Sequence, residues 1–238
     1  MSRAEPRSVP PPPRLWRVLR EAASDFYFNS WRFLGANILL GMLVVTFLLA
    51  SLATPWGLLL AVLLVLPAAG TMRMATRLIR DFHTDLGDFV EVVRRPWPVL
   101  GIGLAQLAVT VVLVGDILIA GAWGTWPGTF LLVGAMYGLV VLWAVAVVAW
   151  PLLLDPERDG EGVRTRLRLA LVILLTHPVR TGGFTLLMGA LLLASALLIA
   201  PLITFAVGVI WLAIARWVLP VADRVEGRRT VVVVDGSQ

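Results

Sequence analysis

The chain has 238 residues, of which 59% are apolar and 15% are charged, and its formal net charge at pH 7 is +5. Its mean hydropathy is +0.88. A soluble protein of this size cannot hide so much apolar side chain, since polar groups must cover its large surface. The composition therefore excludes soluble globular and disordered proteins and predicts a polytopic membrane protein. The positive charge is better explained by Arg residues flanking apolar spans than by binding to nucleic acid.

Several reactive side chains are absent or scarce. The chain has no Cys and no Lys, because all 20 of its basic residues are Arg, and it has two His residues, His83 and His177. Disulfides, thiolate nucleophiles, Schiff bases and the phosphate-binding Lys of a P-loop are thereby excluded. A His-rich metal site cannot be built from two distant His residues. The sequence predicts a protein that is not an enzyme and has no cofactor or metal.

The N-terminal segment consists of two parts. Residues 1–13 end in a run of prolines and contain no apolar core of a signal peptide, which predicts a disordered lead. Residues 14–28 have helical periodicity, which predicts an amphipathic helix on the membrane surface. Its predicted apolar face consists of Leu15, Val18, Leu19, Ala22 and Phe26.

Three long apolar stretches define the predicted membrane domain, residues 14–222, which a C-terminal tail, 223–238, follows. Residues 33–72 carry no charge, and a helix of that length would run about 60 Å, twice the hydrocarbon thickness. Such stretches must fold back, which predicts an all-α bundle of about six transmembrane helices in three hairpins, with cytoplasmic amphipathic helices. The predicted spans are 33–53, 56–78, 98–120, 129–153, 183–200 and 202–219. The apolar stretch 167–176 is too short to span and is expected at the interface or under the bundle.

The distribution of Arg predicts the orientation. If the N-terminus is cytoplasmic, all 20 Arg residues lie in cytoplasmic segments, and the two clear outer connections, 54–55 and 121–128, carry none. This asymmetry predicts a multi-pass protein of the cell membrane with both termini in the cytoplasm.

Short sequence matches suggest an internal repeat of the three hairpins. An apolar-Pro step, at Pro67, Pro151 and Pro220, closes each even-numbered predicted span, and a basic segment follows it. Matches this short also arise by chance in Leu- and Val-rich sequence, so both explanations stay open.

The chain resembles the YesL family of bacterial membrane proteins, a domain of unknown function, over residues 20–222. Four motifs carry the resemblance: Leu66-Pro67-Ala68-Ala69-Gly70, Asp88-Phe89, Trp150-Pro151-Leu152-Leu153 and Thr176-His177-Pro178. The longer Gly-Pro continuation of that family after the Leu-Pro step is missing. The resemblance implies an integral membrane protein associated with carbohydrate ABC-transport systems, and it implies no catalytic residues.

Three polar residues inside predicted spans are candidate functional residues: Asp116, Asn37 and Gln106. Asp116 is expected about one turn from the outer end of its span, where it either binds a ligand or proton or extends to the interface. Asn37 and Gln106, with Thr110, are expected to form hydrogen bonds between helices or to line a solute pathway.

A Gly134-x-x-x-Gly138 motif allows close helix approach, either within the chain or in a homo-oligomer. Two acidic loops have a metal-binding alternative. Asp81, His83 and Asp85 are more simply explained by a solvated helix face, and Thr84 is expected to cap the helix that follows. The acids at 155, 157, 159 and 161 are more simply explained by a solvated turn.

Two functions are consistent with these features. The favoured function is that of a non-enzymatic accessory protein in contact with the lipid bilayer and with subunits of an ABC transporter. The alternative is a small permease or channel, which the scarcity of polar groups inside the spans disfavours.

Overall fold

The computed structural model describes residues 14–54, 60–94, 96–198 and 205–227, and this part of the chain is helical, without strands. Nine α-helices occur in it, and a 3₁₀ turn at Pro156–Arg158 lies between the sixth and seventh. The helices are α1 (Leu15–Phe28), α2 (Ser30–Ala53), α3 (Ala61–Asp81), α4 (Leu86–Arg94), α5 (Trp97–Trp123), α6 (Trp126–Leu153), α7 (Val163–Thr176), α8 (Pro178–Leu198) and α9 (Val207–Val225).

Five of the described helices are long and apolar enough to cross a membrane: α2, α3, α5, α6 and α8. The α-helical membrane bundle expected from the sequence is thus confirmed. The sixth predicted span, 202–219, lies partly outside the described residues. Helix α9 covers the rest of it and is not one of these five, because Arg216, Asp223 and Arg224 fall within its 19 residues.

Helix α9 lies at the centre of the bundle. It contacts α1, α2, α3, α6, α7 and α8, and most of its side chains are buried. Close approach to α1 and α2 is possible at Gly208, where an added Cβ would lie 3.0 Å from both Phe26 and Asn37. The central position explains how α9 tolerates charge: its polar groups face protein rather than lipid.

The predicted amphipathic helix over 14–28 is present as α1. Val18 and Ala22 are buried, and Leu19 and Phe26 pack against the same core, whereas Leu15 is 40% exposed. The apolar face is therefore narrower than predicted. It rests on α9, so this face packs against the bundle.

Two local signals in the sequence correctly predict chain breaks. Within the predicted outer connection at 121–128, α5 ends at Trp123 and Gly124 adopts a left-handed conformation (φ 57°), which glycine takes without strain. Helix α7 ends at Thr176 and α8 starts at Pro178. The turn near Pro55 and the break at Pro201 lie outside the described residues, as do residues 1–13 and most of the tail.

The three apolar-Pro steps do not close their spans. Pro67, Pro151 and Pro220 all lie inside helices, and each helix continues beyond its proline. A proline inside a helix removes one hydrogen bond, and packing by neighbouring helices can compensate for that loss. Because α9 continues to Val225, Asp223 belongs to the bundle and not to the predicted tail.

Candidate functional site

Four charged side chains form a closed ring at one end of the bundle, which we call the ion ring: Arg80, Asp155, Arg158 and Asp223. Arg80 donates to both Asp155 oxygens (3.0 and 2.6 Å) and to both Asp223 oxygens (2.6 and 3.0 Å). Arg158 donates from Nε to Asp155 (3.0 Å) and from Nη2 to Asp223 (2.8 Å). Each aspartate is therefore bridged by both arginines. The ring joins the ends of α3, α6 and α9 at one point.

Burial makes the ion ring energetically important. Asp155 and Arg158 are fully buried, and Arg80 and Asp223 are nearly so. Burial by itself lowers the pKa of Arg158, but a hydrogen bond to Glu226 and the charges of Glu226, Asp155 and Asp223 raise the pKa above its usual value. Two positive and two negative charges cancel within the ring. A buried network in which every charge is paired holds its helices in one arrangement, whereas loss of one member leaves a charge uncompensated.

A second buried arginine, Arg73, extends this network along α3. It donates to the Leu154 carbonyl at 3.0 Å and to both Asp159 oxygens at 3.0 and 2.6 Å, and it reaches Glu91 at 3.4 Å. The same Leu154 carbonyl accepts a hydrogen bond from Thr76 at 2.7 Å. Arg73 therefore connects α3 to α4 and to the loop after α6.

Two further ion pairs, both made by Arg216, attach α1 to α9. Arg216 donates to Glu21 at 2.9 Å and also to Asp25. Both carboxylates lie one helical turn apart on α1, so one guanidinium holds two successive turns. The polar face of α1, which the sequence alone would assign to water, thus contributes to its docking.

The acidic loop at 155–161 differs from the predicted solvated turn. Asp155 is buried in the ion ring, and its Oδ1 also accepts the Glu157 backbone N–H at 3.2 Å. Asp159 pairs with Arg73 and is half exposed. The reason for the difference is long-range: the counter-charges come from α3 and α9, which alternation within the loop cannot reveal.

The acidic loop at 81–88 is organised as a helix cap. Asp85, not Thr84, caps α4, because its carboxylate accepts the Leu86 N–H at 2.7 Å. Asp88 accepts the Asp85 N–H at 2.9 Å, which is one of the two hydrogen bonds of a capping box, and Thr84 donates to Asp88 at 3.2 Å. Asp81 pairs with Arg77 at 2.8 Å. No group of three acidic or His side chains with metal-binding geometry occurs among the described residues.

Gln106 lines a cavity of about 240 Å³ between α3, α5, α6 and α9. Its Oε1 accepts a hydrogen bond from Trp150 Nε1 at 2.8 Å, which confirms the expected bond between helices. Thr110 lines the same cavity but donates to the Gln106 backbone carbonyl of its own helix at 2.9 Å. The remaining lining is largely apolar, and it includes Trp211, whose Nε1 is buried without a partner in the described part of the chain.

The structure does not bring the three candidate residues together. Asn37 is fully buried beside Gly208 of α9, away from the cavity that Gln106 lines. Asp116 lies ten residues after Gln106 on α5, which is about 15 Å along the helix axis. Because α5 continues to Trp123, Asp116 is two turns from the helix end and not one. It is partly buried and forms no hydrogen bond or ion pair with the described residues.

One of the two glycines in the Gly134-x-x-x-Gly138 motif packs against another helix of the same chain. An added Cβ at Gly138 would lie 2.9 Å from the Leu113 side chain of α5, so this glycine serves the packing of α5 on α6. Gly134 has open space around it. A homo-oligomer through Gly134 and Gly138 stays a prediction.

Sequence analysis missed the ion ring, although one signal for it exists. Arg73, Thr76 and Arg80 recur at helical spacing, which places them on one face of α3. Arg80 lies 75 residues from Asp155 and 143 residues from Asp223, and Arg73 lies 81 residues from Leu154, so no local pattern identifies these partners.

Comparison of the chain with protein-family models, with curated proteins and with solved structures finds no match.

Proposed function

We propose that this chain is a non-enzymatic accessory protein of the membrane, which acts by binding another membrane protein. The observation that carries the proposal is the use of its charges. The charged groups of the ion ring, together with Arg73 and Arg216, form ion pairs between helices and loops of this chain. These charges join helices of the bundle to one another, which supports a structural use of them.

Helix α5 supplies the surface for a partner. It has 27 residues, and only Gly103 and Ala120 are buried. Its outward side chains are exposed apolar residues, including Leu104, Val109, Val112 and Leu118. Such a face is matched either by lipid or by a second transmembrane helix, for which close packing replaces lipid contact.

The partner that we propose is a membrane subunit of a carbohydrate ABC transporter. The basis is the resemblance to the YesL family through its four motifs. Two of these motifs meet in the structure, because Gly70 of the first lies against Phe89 of the second, where an added Cβ would be 2.5 Å from the Phe89 ring.

Site-specific photo-crosslinking in membranes tests this proposal. A photoreactive amino acid at Val112, on the exposed face of α5, is expected to crosslink to transporter subunits identified by mass spectrometry. The matched control is the same probe at Leu175 of α7, which is also exposed but belongs to a helix too short to span. Equal labelling from both positions, or only lipid adducts at Val112, would contradict the proposal.

A small permease is the second candidate, because one observation favours it. The cavity beside Gln106 places a polar amide and Thr110 within the bundle, and its volume of about 240 Å³ accommodates a small solute. Flux of a panel of small solutes into liposomes that contain only this chain tests the permease. If flux occurs and Gln106→Leu abolishes it, the chain transports by itself and the accessory role is wrong.

A further inference from the structure

Helix α1 has an exposed side opposite the one that packs against the bundle. Val18 and Ala22 are buried, and the positions about half a turn away from them are exposed. We call this exposed side the outward face, and its side chains include Trp16, Arg17, Arg20, Ser24, Tyr27 and Phe28. The sequence predicts that α1 meets the membrane through its apolar side, but that side packs against α9. The outward face is therefore the side of α1 that a partner outside the chain can reach.

The outward face carries positive charge that the chain does not compensate. Residues 14–32 contain four arginines and two carboxylates. Both carboxylates, Glu21 and Asp25, are paired with a further arginine, Arg216 of α9. Arg17 and Arg20 are exposed, and neither forms an ion pair with a carboxylate of the described residues. Accessible positive charge of this kind attracts an anionic surface.

Exposed aromatic rings cluster where α1 ends and α2 begins. Tyr27, Phe28 and Trp31 are 75%, 77% and 63% exposed. The rings of Tyr27 and Phe28 contact each other edge to face, with their centroids 5.5 Å apart. Large aromatic rings are unfavourable in water, whereas Trp and Tyr are enriched where the hydrocarbon of a membrane meets the headgroups. The cluster therefore indicates a membrane boundary at this end of α1.

The neighbours of this cluster belong to the membrane domain. Phe26 lies beside Gly208, in the uncharged part of α9. On α2, which is apolar enough to span the membrane, Trp31, Ile38 and Met42 are exposed and recur at helical spacing. This stripe suits contact with acyl chains, and Trp31 lies at its end nearest to α1. The outward face of α1 thus continues a surface of the bundle that fits lipid.

We propose that the outward face of α1 binds the anionic headgroups of phospholipids in the adjacent membrane leaflet. Tyr27, Phe28 and Trp31 lie at the boundary of the hydrocarbon, and Arg17 and Arg20 pair with lipid phosphates. Arg20 precedes Tyr27 by seven residues, about 10 Å of helix, so its long side chain reaches headgroups next to the rings. An acidic protein would match the charge, but it would not explain why the exposed rings adjoin the apolar stripe of α2.

A single fluorescent probe on α1 tests this proposal, because the chain has no Cys of its own. Ser24→Cys places one thiol on the outward face, at an exposed position between the arginines and the rings. The labelled full chain is inserted into nanodiscs of equal parts phosphatidylglycerol and phosphatidylcholine. The acyl chains of one lipid or the other are brominated near the headgroup. Bromine quenches only a fluorophore that it contacts, so quenching reports which lipid lies beside α1.

We expect brominated phosphatidylglycerol to quench the probe more strongly than brominated phosphatidylcholine. Arg17→Gln combined with Arg20→Gln should lower the relative binding constant of phosphatidylglycerol roughly fivefold or more, since each Arg near an anionic surface contributes to the attraction. High salt should lower it as well. Neither arginine has an ion-pair partner in the described part of the chain, so these substitutions remove charge without breaking an ion pair.

Arg164→Gln combined with Arg168→Gln is the matched control, because both arginines are exposed on α7 and the loss of net charge is the same. The lipid preference beside α1 should then stay within about twofold of the original, since distant exposed charges are screened. Equal quenching by the two lipids, or an equal loss of preference in the control, would overturn the proposal. Absence of quenching by either lipid would also overturn it and would favour an acidic protein as the partner of α1.

Discussion

Asp155 is the residue on which the ion ring most depends, because its two oxygens accept hydrogen bonds from both Arg80 and Arg158. Asp155→Asn keeps the shape of the side chain and removes its charge. We expect the variant to lose about 3–5 kcal/mol of unfolding free energy, the typical cost of breaking a buried ion pair. Denaturant unfolding in detergent micelles measures the difference.

Glu157→Gln is the control for this prediction. Glu157 also lies near Arg80, at 3.3 Å, but its side chain is 51% exposed. An exposed pair is worth about 1 kcal/mol or less, so this variant should unfold nearly like the original. A similar loss in both variants would mean that burial does not set the strength of the ring.

Gly70 permits the contact between α3 and α4. Gly70→Ala would place a methyl group 2.5 Å from Phe89 Cδ2, and overpacking of this kind costs about 1–3 kcal/mol. Thermal unfolding of the detergent-solubilised protein should show the loss, and adding Phe89→Leu should recover part of it. Gly35→Ala, in α2 with nothing within 4 Å of the new Cβ, should instead be neutral or slightly stabilising. Equal effects at both glycines would contradict the packing argument.

At the scale of elements, α1 shows how an amphipathic helix is attached to a membrane bundle. Val18 and Ala22 pack against the core, and Glu21 and Asp25 pair with Arg216. Apolar contact and ion pairing lie on adjacent faces of one helix. The helix is therefore anchored to α9 by two independent means.

Limited trypsin digestion tests the attachment of α1. Arg17 and Arg20 are exposed, but cleavage within a helix requires local opening. Val18→Asn puts a polar group at a position that is 2% exposed, and we expect cleavage to become roughly tenfold faster. Leu15→Asn, at a position that is 40% exposed, should leave the rate nearly unchanged. If both substitutions accelerate cleavage equally, α1 is not held by the face that the structure shows.

At the scale of the whole molecule, the ion ring connects the second helix of each predicted hairpin to the other two. Arg80 comes from α3, Asp155 and Arg158 follow α6, and Asp223 comes from α9. The three predicted hairpins thus meet at one end of the bundle. This is the end that carries the Arg-rich segments predicted to be cytoplasmic.

The orientation predicts the location of the C-terminus. A reporter fused after Gln238 should score as cytoplasmic, because α9 then completes an even number of spans. The ion pair of Arg216 with α1 and the ring contact of Asp223 compensate the charges of α9 inside the bundle. The matched measurement is a reporter inserted after Gly124, at the opposite end of α5, which should score as external. A cytoplasmic signal at Gly124 or an external signal after Gln238 would contradict the predicted topology.

The sequence by itself determined the class of protein and most of its helices. Hydrophobic length, amphipathic periodicity and breaks at Gly and Pro are local properties of the chain. They predict the membrane bundle, the helix over 14–28, the connection around Gly124 and the stop at His177. Because they are local, they do not give details that depend on packing. Leu15 was predicted on the apolar face but is exposed, and α5 continues two turns beyond Asp116 instead of one.

Only the tertiary structure decided which polar residues matter. Arg80 and its partners Asp155 and Asp223 lie 75 and 143 residues apart in sequence, and alternating acids in a loop resemble a solvated turn until those helices converge. The same holds for Arg166, which reads as one of several Arg residues near α7 but is buried beside a cavity. Pairing of charges is a property of three-dimensional proximity, and the cost of burying a charge makes such pairing decisive only where the fold excludes water.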